Sequence, residues 1–219
     1  MARRQGEFLV VGLGRFGGAL AETLVELGHE VLGVDLDPKT VQDYAGRLTH
    51  VVEADSTDPD TMTQLAAGDF GTAVVAIGTD MEASILTTAV LVDLQVRKIV
   101  AKAITRAHGK ILERVGAHRV VFPESDMGVR VAHTVTGRTL DYIQLDPGFA
   151  LVETTAPKEI VGKTLAEAEV RKRYGITVVC VKPANESFTY ATPDTVVRDG
   201  DILVVAGETQ AAENFSELT

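Results

Sequence analysis

A glycine turn held between two short apolar strands constrains this chain more than any other feature of it. The run Phe8-Leu-Val-Val-Gly-Leu-Gly-Arg-Phe-Gly17 is followed by Glu30-Val-Leu-Gly-Val-Asp35, which reads as strand, turn, helix, second strand and an acid at that strand's end. Gly12 permits the tight turn, Gly14 lets backbone N–H groups approach a pyrophosphate at a helix N-terminus, and Gly17 lets the helix pack closely on the strand. Asp35 accepts hydrogen bonds from ribose hydroxyls and disfavours a 2′-phosphate, so the spacing predicts an adenine nucleotide such as ATP, ADP or NAD rather than NADP. Three glycines alone carry little weight. The flanking strands and the acid in register turn them into a nucleotide-binding signature.

The alternation continues with short β-branched runs at 50–54, 73–77, 98–102 and 119–122, separated by segments of helical spacing at 58–66, 82–94, 106–115 and 125–135. Six strands alternating with helices predict an α/β fold, a Rossmann-like doubly wound parallel sheet. Its ligand crevice should lie beyond the C-terminal ends of the strands. The groups at those ends are the candidates: Asp35 and Asp37, then Asp55-Ser56-Thr57, Ala76-Ile77-Gly78, Lys102 and Glu124.

Several of them have two readings. Asp37 before Pro38, and Ser56 or Thr57 before Asp58-Pro59, suit helix caps as well as ligand contacts. Lys102 ends an apolar strand where anionic ligands sit, so it suits a phosphate or adenine contact as well as a solvated end. Arg15, inside the glycine loop, is placed to reach a terminal phosphate or a neighbouring subunit, or to remain in solvent. Local sequence alone reads Glu124 as an acid at a helix start.

Composition excludes other classes. A net charge of −10 leaves no basic stripe for phosphate neutralisation, and the charges of residues 1–139 and 140–219 sum to −4 and −6, so no nucleic-acid partner is expected. The chain has no apolar run of transmembrane length, and its Met-Ala-Arg-Arg start lacks a signal peptide's apolar region, which points to the cytoplasm. Cys180 is the single cysteine; it lies in an apolar run and reads as a small buried residue. His29, His50, His108, His118 and His133 show no metal-ligand spacing and read as packing or surface residues.

After Arg138 the pattern changes. The expected domains are residues 1–138, the nucleotide-binding part, and 139–219, a smaller α+β domain, with turn residues at 140–148, a strand at 149–154, a helix at 164–174, an apolar strand at 176–181 and a hairpin turn at Asp199-Gly-Asp201 leading into 202–205. A domain this small has a marginal core and is expected to bury an apolar face against a second copy.

Taken together, these residues resemble the cytoplasmic regulators of the Trk and Ktr potassium-transport systems, and within them the KtrA type of gating subunit, in which an N-terminal RCK domain precedes a smaller C-terminal one. The marks are Val11-Gly-Leu-Gly-Arg-Phe-Gly-Gly18, His29-Glu-Val-Leu-Gly-Val-Asp35, Ala76-Ile-Gly78 with Ser84-Ile-Leu-Thr-Thr88, and Phe122-Pro-Glu-Ser-Asp-Met-Gly128. Val161-Gly-Lys-Thr-Leu165, Tyr174-Gly175 and the stretch from Pro193 to Gly207 complete them. The resemblance implies a homo-oligomer, dimers assembling into an octameric ring, docked at the inner face of the cell membrane on a membrane-embedded potassium-translocating subunit and opening it when ATP replaces ADP. It places Gly12, Gly14, Arg15, Phe16 and Gly17 around the phosphates, with Arg15 on the terminal phosphate of the nucleotide in the partner subunit. Asp35 and Asp37 fall on the ribose, Asp55, Ser56, Thr57, Ala76, Ile77 and Gly78 around the adenine, and Lys102 in the nucleotide site. Glu124 matches a ligand for Mg²⁺ or Ca²⁺ at a dimer interface, and Arg171 and Pro193 match contacts to cyclic di-AMP. Ser56 departs from the small residue common among relatives.

Two other classes share the first half. An NAD-dependent oxidoreductase needs a proton-transfer residue facing a substrate pocket in its second domain, and the C-terminal part has no histidine. A Rossmann-type redox-sensing repressor needs a basic DNA-reading helix, for which the sequence has no candidate.

Overall fold

The computed structural model describes residues 4–135 and 139–218. The chain folds as two compact units that part between Glu124 and Ser125. The boundary expected after residue 138 falls beside residues 136–138, which lie outside the described residues.

In the first unit β1 (Arg4–Val11), β2 (Glu30–Asp35), β3 (His50–Glu53), β4 (Phe70–Val75), β5 (Ile99–Lys102) and β6 (Arg119–Val121) form one sheet in the order β3-β2-β1-β4-β5-β6. Every pairing is parallel. The connections are α1 (Arg15–Glu26), α2 (Pro38–Tyr44), α3 (Pro59–Gln64), α4 (Met81–Asp93) and α5 (Arg106–Val115). Successive strand residues point to opposite faces, so β1 feeds two cores. Leu9 and Val11 pack with Met62, Leu91 and Leu112 from α3, α4 and α5, whereas Val10 packs with Leu13, Ala21 and Val31. Burial on both faces explains the continuous apolar runs that mark these strands. The order reverses between β1 and β4, the topological switch point beyond whose strand ends such sheets bind ligands.

Helix α6 (Pro123–Val135) begins with the last two residues of the first unit and continues into the second. There β7 (Thr139–Asp146), β8 (Phe149–Thr155), β9 (Ile176–Lys182), β10 (Thr189–Tyr190) and β11 (Ile202–Glu208) form an antiparallel sheet in the order β10-β9-β11-β8-β7. The helices α7 (Leu165–Ala168), α8 (Val170–Tyr174) and α9 (Thr209–Glu217) accompany it. Ile160, Val170, Ala212 and Phe215 close its core over Val152, Leu203 and Val205.

Three expectations change here. The stretch read as turn residues is mostly the strand β7, and only its end, Pro147-Gly148, turns the chain into β8. The helix expected at 164–174 is two helices, because Glu169 adopts a left-handed φ of 47° and breaks the ladder. Asp199-Gly-Asp201 leads into β11 but makes no hairpin: β11 pairs with β8 and β9, and the Asp201 carboxylate closes the turn by accepting the Arg198 N–H at 2.8 Å. Among the described residues no helix is long and apolar enough to cross a membrane.

Candidate functional site

The glycine turn is built against the end of β4. Gly12 holds φ at +87°, and a β-carbon there would lie 3.0 Å from the Ile77 nitrogen and 3.1 Å from the Ala76 carbonyl carbon. Only glycine combines that backbone with that proximity. Gly17 is tighter still, since its β-carbon would stand 1.9 Å from the Gly12 oxygen and 2.8 Å from Ala76 Cβ. Ala76 and Ile77 thus wall the turn. Gly14 is the N-cap of α1 and offers no side chain to the first helical N–H groups. A β-carbon at Gly14 would meet nothing within 4 Å. The positive end of a twelve-residue helix therefore faces open space, the arrangement that suits an anion. Arg15 begins that helix and is exposed; Phe16 is half-buried.

Asp35 is fixed rather than free to swing. One carboxylate oxygen accepts the Leu13 N–H at 2.6 Å and the other accepts the Asp37 N–H at 2.9 Å. The first bond spans the glycine turn and joins the acid to the loop. Lone pairs remain on both oxygens for ribose hydroxyls. Asp37 caps α2, accepting from Lys39 N, Thr40 N and Thr40 Oγ1. The Thr40 hydroxyl is the main reason its carboxyl sits below the ordinary range; desolvation opposes this, and the backbone bonds and the charge of Lys39 add to it.

In the next loop the capping reading of Ser56 and Thr57 is not met. The cap of α3 is Asp58, which accepts from Asp60 N and Thr61 N, and neither Ser56 nor Thr57 takes that part. Ser56 is buried and shares a 2.8 Å hydrogen bond with Thr87 of α4. Its hydroxyl is thus engaged in the core. Asp55 accepts from the Thr57 backbone and hydroxyl, at 2.9 and 2.7 Å, leaving both residues at the strand end.

Lys102 is buried at the end of β5. Its ammonium lies 2.5 Å from Glu124 Oε1 and 5.8 Å from the centre of the Phe16 ring. A β-carbon at Gly78 would fall 2.7 Å from that ammonium, so Gly78 makes room for the lysine. The structure therefore brings Phe16, Gly78, Lys102 and Glu124 into one cluster. Hydrogen bonding to Lys102 is the main reason the Glu124 carboxyl sits below its ordinary range; desolvation opposes this, and the positive charges of Lys102 and Arg15 add to it. A divalent cation does not fit Glu124 within a single subunit. Its carboxylate is paired with an ammonium, and among the described residues no three His, Cys, Asp or Glu side chains are grouped as metal ligands.

In the second unit Arg171 and Pro193 line the same groove, of about 500 Å³, together with Ala166, Ile176, Val178 and Ala191. The Arg171 guanidinium is steadied by Thr177 Oγ1 at 3.1 Å. The Ala166 N–H donates to the Pro193 carbonyl at 2.9 Å, tying the α7 side of the groove to the loop opposite. Val178 and Ala191 carry no sequence signal, being two apolar residues among many until β9 and the loop after β10 bring them together.

Comparison with known proteins agrees with this two-part architecture. The TrkA-N domain family matches residues 8–123 and the TrkA-C domain family residues 149–219. Ktr system potassium uptake protein C of Bacillus subtilis (strain 168) is 39% identical over 96% of this chain and 96% of its own length. Protein A of the same system and organism is 36% identical over 95% of each. Among solved structures, the GsuK RCK domain superposes with a TM-score of 0.68 at 21% identity, covering 98% of this chain and 48% of that one.

Proposed function

The chain belongs to the Trk and Ktr potassium-uptake family, joining a TrkA-N to a TrkA-C domain, and from that premise we propose that it is a nucleotide-responsive gating subunit. It is a regulatory subunit rather than an enzyme. It acts in the cytoplasm on a membrane-embedded potassium-translocating partner, as an oligomer of dimers that closes into an octameric ring. The observation that carries the reading is the Asp35 carboxylate bonded to Leu13 N across the glycine turn, beside an α1 N-terminus with no side-chain cap.

An adenine nucleotide enters with its phosphates on Gly12, Gly14 and Gly17, its ribose on Asp35 and Asp37, and its base toward Asp55, Thr57, Ala76, Ile77 and Gly78. Ser56 supports this wall from the core. ATP and ADP differ by one phosphate, so the gate must read that group. A ligand that binds both ring shapes equally shifts nothing, whereas a differential of about 1–3 kcal/mol changes affinity 5- to 150-fold. Arg15 supplies the differential, reaching the terminal phosphate across to a second subunit. Lys102 adds a buried positive charge beside the phosphates. NAD shares the adenosine half of this pocket and competes for it. Mg²⁺ or Ca²⁺ is held only where a second subunit adds its own Glu124 and supplies the oxygen donors that one chain lacks. The groove at Arg171 and Pro193 takes cyclic di-AMP between two copies of the second domain.

Calorimetric titration of the purified protein with ATP, ADP, NAD and cyclic di-AMP, read beside its mass in solution, tests this. Saturable binding of ATP and ADP by an oligomer is expected. Absence of adenine-nucleotide binding overturns the proposal.

A further inference from the structure

In a continuous helix Ala168 and Val170 would stand about 200° apart and could not share a core. Both do: Ala168 is 0% and Val170 4% exposed, and they belong to one apolar cluster on the second sheet. The residue between them makes this possible. Glu169 takes φ 47° and ψ 39°, ends α7 by donating its N–H to the Ala166 carbonyl, and starts α8, whose Lys172 and Arg173 N–H groups bond back to its own carbonyl at 2.9 Å. A residue with a β-carbon adopts that conformation at a cost, and burial of Val170 offsets it.

The change of direction also decides where Arg171 goes. Two residues after the break it lines the groove with Pro193 and donates Nε to Thr177 Oγ1 of β9 at 3.1 Å, and a guanidinium has donors to spare for a phosphate. The start of α7 is not free to compensate, because the Leu165 and Ala166 N–H groups are bonded to the Thr195 and Pro193 carbonyls at 3.0 and 2.9 Å. The Glu169 carboxylate has a smaller part. It meets Lys172 Nζ at 3.0 Å with 77% of the lysine side chain and 52% of its own exposed, and such open pairs contribute little.

We propose that Glu169 is a positioning residue of this groove, acting through its left-handed backbone and not through its charge. It sets Arg171 against Thr177, where a phosphate of a bound dinucleotide would meet it. This rests on the cyclic di-AMP reading of the groove and deepens it by naming what holds its arginine in place. The demand on residue 169 is tolerance of positive φ, which glycine has and a β-branched residue lacks.

Calorimetry of the full-length protein with cyclic di-AMP separates backbone from charge. Glu169→Gln should bind within about twofold of wild type, since only an exposed ion pair is lost. Glu169→Gly should bind within about twofold as well and melt no lower, because it adopts the required conformation without strain. Glu169→Thr should bind about tenfold more weakly, and Arg171→Ala, which costs about tenfold in wild type, should cost less than about twofold in that background. A loss in Glu169→Gln as large as that in Glu169→Thr makes the carboxylate the working group and overturns the proposal. Wild-type binding by Glu169→Thr overturns it too. If Glu169→Thr does not fold, Glu169→Gly decides, and a loss of that size there is the contrary result. A wild type that binds no cyclic di-AMP overturns the ligand reading alone; hydrogen exchange across 170–174, expected to quicken in Glu169→Thr and to hold in Glu169→Gly, then decides the positioning role. Equal exchange in the two variants contradicts it.

Discussion

The ammonium of Lys102 and the carboxylate of Glu124 stand 2.5 Å apart, the lysine buried at a strand end and the glutamate exposed on the first turn of α6. The pair joins the strand that carries the fifth ligand-side position to the helix that leaves the first unit. It also answers a question the sequence left open for each residue, since Lys102 does not end in solvent and Glu124 is more than a helix-start acid.

Replacing Lys102 by methionine keeps the stem and removes the charge. ATP and ADP affinities should fall together, by about tenfold, because the proposed charge-assisted contact from Lys102 to phosphate would be lost for both. Calorimetry checks this. A loss confined to ATP would move the discriminating role from Arg15 to Lys102.

Two glycines of the turn should respond oppositely to alanine. Gly17→Ala drives a methyl into the Gly12 carbonyl and should cost about 3 kcal/mol or more in urea denaturation. Gly14→Ala meets no neighbour and has an ordinary φ of −63°, so the fold should keep its stability. Its nucleotide affinity should nevertheless collapse, because the methyl fills the space before the α1 N-terminus.

Most of the first unit was legible because its central strands β1 and β4 are buried on both faces, which leaves continuous apolar β-branched runs alternating with helical spacing. β7 was not, since only Thr139 and Tyr142 along it are buried and an edge strand prints little periodicity. The break at Glu169 was hidden in a continuous helical pattern. In the site, residue types at strand ends were readable but their partners were not. Nothing local shows that Asp35 bonds Leu13, that Ser56 turns inward to Thr87, or that Lys102 meets Glu124, because each pair spans about twenty to thirty residues.

The inward turn of Ser56 has a measurable consequence. Thr87→Val keeps the shape of a fully buried side chain but orphans the Ser56 hydroxyl, and should cost about 1–3 kcal/mol. Equilibrium unfolding measures it. If Ser56 instead serves the base directly, stability should hold and only affinity should drop.

His108 sets part of the acid stability. It is buried, and that burial pushes its pKa below the ordinary value of 6.5. As pH falls through 6.5 the unfolded chain takes up a proton that the folded one resists, so stability falls from that point until the folded group also titrates. Above 6.5 the histidine adds no pH dependence. His108→Gln should flatten this part of the profile in thermal melts between pH 5 and pH 8, taken as about the range of histidine titration. An unchanged slope would contradict it.

The proposed gating requires that the crevice read the terminal phosphate, and calorimetric affinities of wild type and Arg15→Ala for ATP and ADP test that most directly. Arg15→Ala should shrink the ATP-to-ADP affinity ratio while leaving ADP binding nearly intact. Equal losses for the two nucleotides, or a ratio that does not move, would contradict it.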